Sequence, residues 1–198
     1  MPYCQPGERR NHSKGKSIKV EPITKRADLE TIKRFLSDKP RDYALFIMGI
    51  NTNLRASDLC RITVGMVRDK KAEDEIVLIE QKTGKLRRIT LNSACVRAVQ
   101  GLLSENPLLD NEQLFRGKRG PITTQTIHFL VNQWTEMCGV KGNFGSHTLR
   151  KTFGYWKRQQ GASIPLLMDV FNHSNQKTTL SYLGIQPEEV KSLYLQEV

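Results

Sequence analysis

Six polar side chains, far apart in the chain, are of the types that handle a phosphate. His147 and Arg150 stand three apart in "SHTLRKTFGYW" (146–156), a stretch without an acidic residue. A helix brings that spacing onto one face, and a histidine beside an arginine in so basic a setting suits a bound phosphate. Arg55, in "NTNLRASDL", sits between Leu54 and Ala56. A charge near a core needs a partner, and Asp58 is the nearest. Two readings stand there: a structural ion pair, or Asp58 as a brace that leaves Arg55 aimed at an anion. Lys82, in "QKTGK", suits solubility, contact with a DNA groove or proton donation to a leaving oxygen, with Lys85 as its alternative. His173 stands in "FNHSNQKTT", and Tyr182 follows nine residues later. Each has an ordinary reading of its own: a solvated helix face for the His-x-x-Arg pair, a packed core for Tyr182. The chain also holds Tyr3, Tyr43, Tyr155 and Tyr194.

The elements that must position these groups are mostly helical. Leu29, Ile32, Phe35 and Leu36 recur at helical spacing and predict a first helix over 25–37. Pro40 suits the first turn of an apolar second helix, "PRDYALFIMGI". A short helix, "RASDLCRI", follows. "EIVLIE" and "LRRITL" flank "QKTGK" as a β-hairpin with Gly84 at its turn. Asn92 caps a helix to Ser104, and Thr123 or Thr124 caps another with Ile127, Leu130, Val131, Trp134 and Met137 inward. The opening stretch forms a helix from Ser146 to Gly161, buried along Leu149, Phe153 and Trp156. Three further helices are predicted: "SIPLLMDVF", "QKTTLSYLG", and a last one from Pro187. The fold class is therefore mostly α with one small antiparallel sheet. A flexible basic arm over 1–22 precedes a domain over 23–198, and the helix of 187–198 packs on its own domain or on a neighbouring protomer.

Composition narrows the partners. The 198 residues suit one domain with a tail. The net charge of +11 points to a polyanion, DNA or RNA being the commonest. Between Met137 and Met168 lie Lys141, Arg150, Lys151, Lys157 and Arg158 with no acid; between Gln81 and Asn106 lie Lys82, Lys85, Arg87, Arg88 and Arg97 against Glu105 alone. A fold that joins these stretches makes one cationic surface. No apolar run reaches the ~20 residues of a membrane span, and the polar N-terminus lacks a signal peptide's apolar centre. The expectation is a soluble intracellular protein. Cys4, Cys60, Cys95 and Cys138 have no zinc spacing and form no disulfide framework, so reduced thiols are expected, the last three as core fillers.

Taken in order, Arg55 in "NLRASDL", Lys82 in "EQKTGK", His147 and Arg150 in "HTLR", His173 in "NHSNQKTT" and Tyr182 in "LSYLGI" resemble the tyrosine recombinases, the phage integrase family. The resemblance covers residues 24 to 198 and rests on the ordered set. Two departures stand out. Lys151 follows the second arginine, where the family often has histidine, and Phe171 and Asn172 precede the last histidine, where it often has Leu-Gly. Most relatives also carry a separate DNA-clamping domain. The layout is therefore expected to match the short inversion-type enzymes, or a catalytic domain cut from a longer protein.

The resemblance implies the tyrosine-recombinase catalytic fold and site-specific DNA recombination through a 3′-phosphotyrosyl intermediate, with Tyr182 as nucleophile. A type IB topoisomerase-like activity, or a DNA-binding accessory module that no longer cuts, are the alternatives. Arg55 and Arg150 suit the charge on the nonbridging oxygens, because a planar guanidinium holds two at once. His173 adds a hydrogen bond. Lys82 protonates the leaving 5′ oxygen, and His147 assists proton transfer or orients the phosphate. Asp58 supports. Lys85, Arg87, Arg88, Arg116, Lys118, Arg119 and Lys151 are the expected DNA contacts, with the loop "RGKRG" on phosphates. No metal or other cofactor is implied, since the arginines stand in for a divalent cation. The expected partners are double-stranded DNA, further protomers in a tetramer on two duplexes, and accessory proteins. The expected setting is the cytoplasm of a bacterium, with the protein bacterial or phage-encoded.

Overall fold

The computed structural model describes residues 20–82, 84–105, 107–185, 191–192 and 194–195. The predicted arm lies outside these residues except for 20–22, and most of the predicted last helix lies outside them too.

The second predicted helix is the centre of the fold. In α2 (Pro40–Asn51) a nearly unbroken run, Ala44 to Gly49, is buried, so the helix must be covered on several sides. It packs against α4 (Ser93–Glu105) and α6 (Thr148–Gln159). The approach to α6 is close at Gly49, where an added Cβ would run into Leu149. Around this centre lie α1 (Arg26–Phe35), the single-turn α3 (Ala56–Leu59) and α5 (Thr124–Met137). Thr123 caps α5: its hydroxyl accepts from the Thr126 N–H while Thr126 reaches back to the Thr123 N–H. The apolar core runs through all of them, from Ile23 to Leu149, with Trp134 and Phe46 in edge-to-face contact. Met137 departs from its predicted inward stripe and is exposed, because α5 ends there.

The hairpin forms as predicted. Strand β1 (Glu75–Ile79) pairs antiparallel with β2 (Leu86–Thr90), Ile79 opposite Leu86. Its inner face presents Ile76 and Ile89 to the core; Val77, Ile79 and Leu86 face outward. The loop "RGKRGP" folds into a second small hairpin, β3 (Arg116–Gly117) with β4 (Gly120–Pro121).

A smaller apolar cluster docks the last elements. α7 (Ile164–Phe171) starts on the Ser163 cap and ends at Asn172, in the left-handed conformation (φ 54°, ψ 46°). Phe171 and Leu183 pack with Phe153 and Leu167. A Cβ at position 154 would stand 2.7 Å from the Phe171 ring, so Gly154 permits that approach. α8 (Gln176–Leu180) follows, and Tyr182 closes the turn after it by donating its N–H to the Thr179 carbonyl, 2.7 Å away. Cys95 is buried and Cys60 and Cys138 half-buried; burial pushes the Cys60 thiol up to about 11 and Cys95 to about 12, which keeps both protonated. Among the described residues no helix is long and apolar enough to cross a membrane.

Candidate active site

Arg55, Lys82, His147, His173 and Tyr182 line one cavity of about 530 Å³, bordered also by Ser57, Thr124 and Thr178. They arrive on different elements. Arg55 precedes α3, Lys82 stands at the hairpin tip, His147 is the residue before α6, His173 follows α7, and Tyr182 follows α8. His147 thus stands at the helix entrance rather than inside it. Arg150, one turn on, lies beneath the cavity and is 1% exposed.

The Tyr182 ring is the centre of a cluster of bases and cations. Its centroid is 5.3 Å from that of His173 and 6.3 Å from that of His147. The Arg150 guanidinium carbon and Lys151 Nζ are each 5.7 Å from it. His173 stacks on Phe171, and its Nδ1 is 3.0 Å from the Thr179 hydroxyl, which leaves Nε2 for a ligand. Burial, then the charges of Arg150 and Arg55, lower the His173 pKa from 6.5 to about 4. His147 is an exposed residue, yet its pKa is lowered as well, by desolvation and then by the charges of Arg150, Lys151, Lys82 and Arg55. Both imidazoles are therefore neutral at pH 7.

Arg150 is spent differently from the expectation that it would grip two phosphate oxygens. Its Nη1 donates to the Asn53 carbonyl (2.6 Å) and Nη2 to the Phe171 carbonyl (2.9 Å). Its guanidinium lies 5.0 Å from the Phe171 ring, and Nε is buried without a hydrogen-bond partner among the described residues. Burial, then Arg55 and Arg87, depress its pKa to about 9, which still leaves it charged at neutral pH. In this arrangement Arg150 supplies positive potential under Tyr182 and the cavity floor.

Asp58, the expected brace on Arg55, is the more distant of two acidic partners. Asp58 Oδ2 is 4.0 Å from Arg55 Nη1, whereas Glu80 Oε2 is 2.8 Å away. Asp58, fully buried, instead accepts the Gln81 N–H through Oδ1 at 3.0 Å, fastening α3 to the turn that carries Lys82. The sequence does hold a signal for Glu80. Alternation along β1 puts it on the inner face with Ile76 and Leu78, where a lone acid demands a cation. The same alternation places Arg87 inside with Ile89.

Two of the expected DNA contacts are corrected by this geometry. Arg87 is buried, its Nη1 donating to Glu80 (2.7 Å) and Nη2 to the carbonyls of Val170 (2.9 Å) and Asn53 (3.2 Å). Lys151 is buried, and its Nζ donates to the Val20 carbonyl at 2.8 Å. Neither offers a surface to a duplex. Lys85, Arg88, Lys118 and Arg119 are exposed, and Arg116 is partly exposed with its Nη1 2.8 Å from Glu112.

Comparison with known proteins converges on one family. The sequence pattern of the phage integrase family matches residues 22–189. The chain is 33% identical over 178 residues to the probable integrase/recombinase YoeC of Bacillus subtilis (strain 168), covering 88% of this chain and 95% of that one. It is 30% identical over 174 residues to the tyrosine recombinase XerC of Caldanaerobacter subterraneus subsp. tengcongensis, with 82% of this chain but 48% of that one aligned. The chain thus spans nearly all of YoeC and about half of XerC. Among solved structures, the XerA recombinase matches with a TM-score of 0.74 at 22% identity, over 89% of this chain and 64% of that one. The XerH recombinase in a post-cleavage complex with its palindromic difH substrate matches with a TM-score of 0.72 at 17% identity, over 89% and 54%. These likenesses confirm the mostly helical fold with its small antiparallel sheet. The chain belongs to the phage integrase family and is a tyrosine recombinase.

Proposed function

We propose that this enzyme recombines DNA at specific sites by breaking and rejoining one strand at a time through Tyr182. The observation that carries the reading is the single cavity in which Tyr182 meets Arg55, Lys82, His147 and His173, with Arg150 beneath the ring. The Tyr182 hydroxyl oxygen attacks the phosphorus, the bond to the 5′ oxygen breaks, and a 3′-phosphotyrosine forms. Arg55 and the Nε2 hydrogen of His173 take the charge that builds on the nonbridging oxygens, donors of a kind worth ~3–4 kcal/mol each in the transition state. Lys82, at the exposed hairpin tip, gives its proton to the leaving 5′ oxygen. His147, neutral beside four cations, accepts or relays the phenol proton. The 5′ hydroxyl of another strand then attacks the phosphotyrosine, so the bond energy is kept and strands are exchanged.

Double-stranded DNA is the proposed substrate, gripped at phosphates by Lys85, Arg88, Lys118 and Arg119, with Arg116 adding part of a charge. The β3–β4 hairpin that bears the last three leads directly into Thr124 on the cavity rim. Exchange between two duplexes requires more than one protomer, and the reading is a tetramer on two duplexes in a bacterial cytoplasm. The test is a pool of nicked duplexes with randomised centres, in which cleavage traps the covalent product. The wild-type chain is expected to give an adduct on a denaturing gel, and Tyr182→Phe none. An adduct that persists in Tyr182→Phe overturns the assignment.

A further inference from the structure

Behind the cavity wall, Arg55 and Arg150 join a connected polar network whose other members, Glu80, Arg87, Asn53 and Asn172, the reaction above does not use. Glu80 is fully buried between two arginines: Oε2 is 2.8 Å from Arg55 Nη1, and Oε1 accepts from Arg87 Nη1 at 2.7 Å. The Asn172 side-chain amide donates to Oε2 at 3.4 Å. Arg87 continues the chain of contacts to the Val170 carbonyl at the end of α7 and to the Asn53 carbonyl. Asn53, itself left-handed (φ 55°), donates its side-chain amide to Val170 and lends its carbonyl also to Arg150. One carboxylate thus meets the loop before α3, which bears Arg55, the hairpin, which bears Lys82, and the end of α7, which leads into His173.

We propose that Glu80, held by Asn172, is a positioning residue for strand cleavage: it fixes the guanidinium of Arg55 and, through Arg87, sets the spacing of Arg55, Lys82 and His173. This rests on the recombinase reading. The left-handed backbone at position 172 explains why asparagine is accommodated there, since asparagine adopts that region more readily than other side chains. Glycine would adopt it too, but only asparagine reaches Glu80. Charge balance gives the network a second role. Arg55, Arg87 and Arg150 face Glu80 and Asp58, and the buried Lys151 stands with Arg150 beside Tyr182, so positive charge is in excess around the cavity and a phosphodiester charge offsets part of it. Without Glu80 the attraction for phosphate rises while the aim of Arg55 is lost.

The test uses the nicked duplex recovered from the pool, under single-turnover conditions. Glu80→Gln is expected to slow adduct formation at saturating DNA by ~10–100-fold, the size of a roughly 1 Å misplacement at a reacting centre. The half-saturating DNA concentration is expected to stay level or fall, whereas general loosening of the fold would raise it. Asn172→Gly, which keeps the backbone comfortable, is expected to slow the same step ~3–10-fold. In an Arg55→Lys background, Glu80→Gln is expected to add little. Glu80→Gln at the wild-type rate overturns the proposal, as does a rate loss that is fully additive with Arg55→Lys. If Glu80→Gln shows no cooperative melt, Asn172→Gly decides, and a wild-type rate there overturns it. Absence of any adduct in the wild-type chain would instead sink the recombinase reading.

Discussion

Arg87 and Arg88 are neighbours on one strand and have opposite fates. Arg87 is 8% exposed and joins Glu80 to two backbone carbonyls; the Arg88 side chain is 64% exposed, with Glu75 3.3 Å away. The strand's two-residue period alone separates them. A count of basic residues treats both as surface charge, yet only Arg88 is exposed to a duplex, while Arg87 is paired inside with Glu80. Arg87 is part of the scaffold that holds the cavity. The same division runs through the chain: Arg55, Arg87, Arg150 and Lys151 lie inside or at the cavity, while Arg88, Lys118 and Arg119 are outside.

Breaking the inner set is expected to have the largest effects. Arg150→Lys replaces a planar fork with a point charge that cannot serve the carbonyls of Asn53 and Phe171 together. The charge stays but its fixed position is lost, and adduct formation is expected to fall ~10²-fold, the size of a roughly 1 Å misplacement at a reacting centre. Arg87→Ala comes next. It strips Glu80 of its better-aligned partner, and breaking a buried pair from one side costs ~3–5 kcal/mol. Chemical denaturation should show that loss, together with weakened cleavage; an unchanged midpoint would put Arg87 on the outer side of the comparison after all.

The division also marks what the sequence discloses. The ordered set from Arg55 to Tyr182 was legible because each member is a chemically distinctive residue in a short motif. The helices of Leu29 and Ile32, and of Ile127 and Trp134, were legible because one-sided burial leaves a period. Which cations lie inside was only half legible. Glu80 and Arg87 could have been found from strand alternation, as the one acid and one base on the inner faces of the hairpin. Lys151 could not, since its burial depends on the Val20 carbonyl, 131 positions away. Nor could the role of Arg150: both of its acceptors among the described residues are backbone carbonyls, and a carbonyl carries no signature in the sequence. Asp58 is the longer of two partners of Arg55, at 4.0 Å, because Glu80 arrives from another element and comes within 2.8 Å, which spacing along one helix does not disclose.

A pH series probes the inner set more gently. His173 is folded at a pKa of about 4 against 6.5 when unfolded. Between those values the unfolded chain binds the proton and the folded one does not, so stability falls as pH drops from about 6.5 toward 4. His147, also lowered, adds in the same direction. The melting temperature is expected to decline across that window, with a shallower slope in His173→Gln. An unchanged slope would mean that His173 is solvated as freely as a surface histidine, and a steeper one that its folded pKa is raised instead of lowered.

The outer set should give smaller and differently shaped effects. Neutralising Lys118 and Arg119 together is expected to leave the melting temperature nearly unchanged and to flatten the salt dependence of DNA binding by ~1–2 in log–log slope, since each phosphate contact contributes about 0.9. Arg116, already paired with Glu112, is expected to add less. The smallest effect belongs to Arg88→Gln, where the comparison is sharpest. An exposed ion pair contributes ~0–1 kcal/mol, so its stability change should lie within ~0.5 kcal/mol and cleavage at saturating DNA should be retained. Its one expected trace is in affinity at low salt, a change of ~2–5-fold that fades as added salt screens exposed charges. A low-salt loss there beside a wild-type melting curve places Arg88 on the duplex, and a wild-type binding curve at every salt concentration would reduce it to the partner of Glu75.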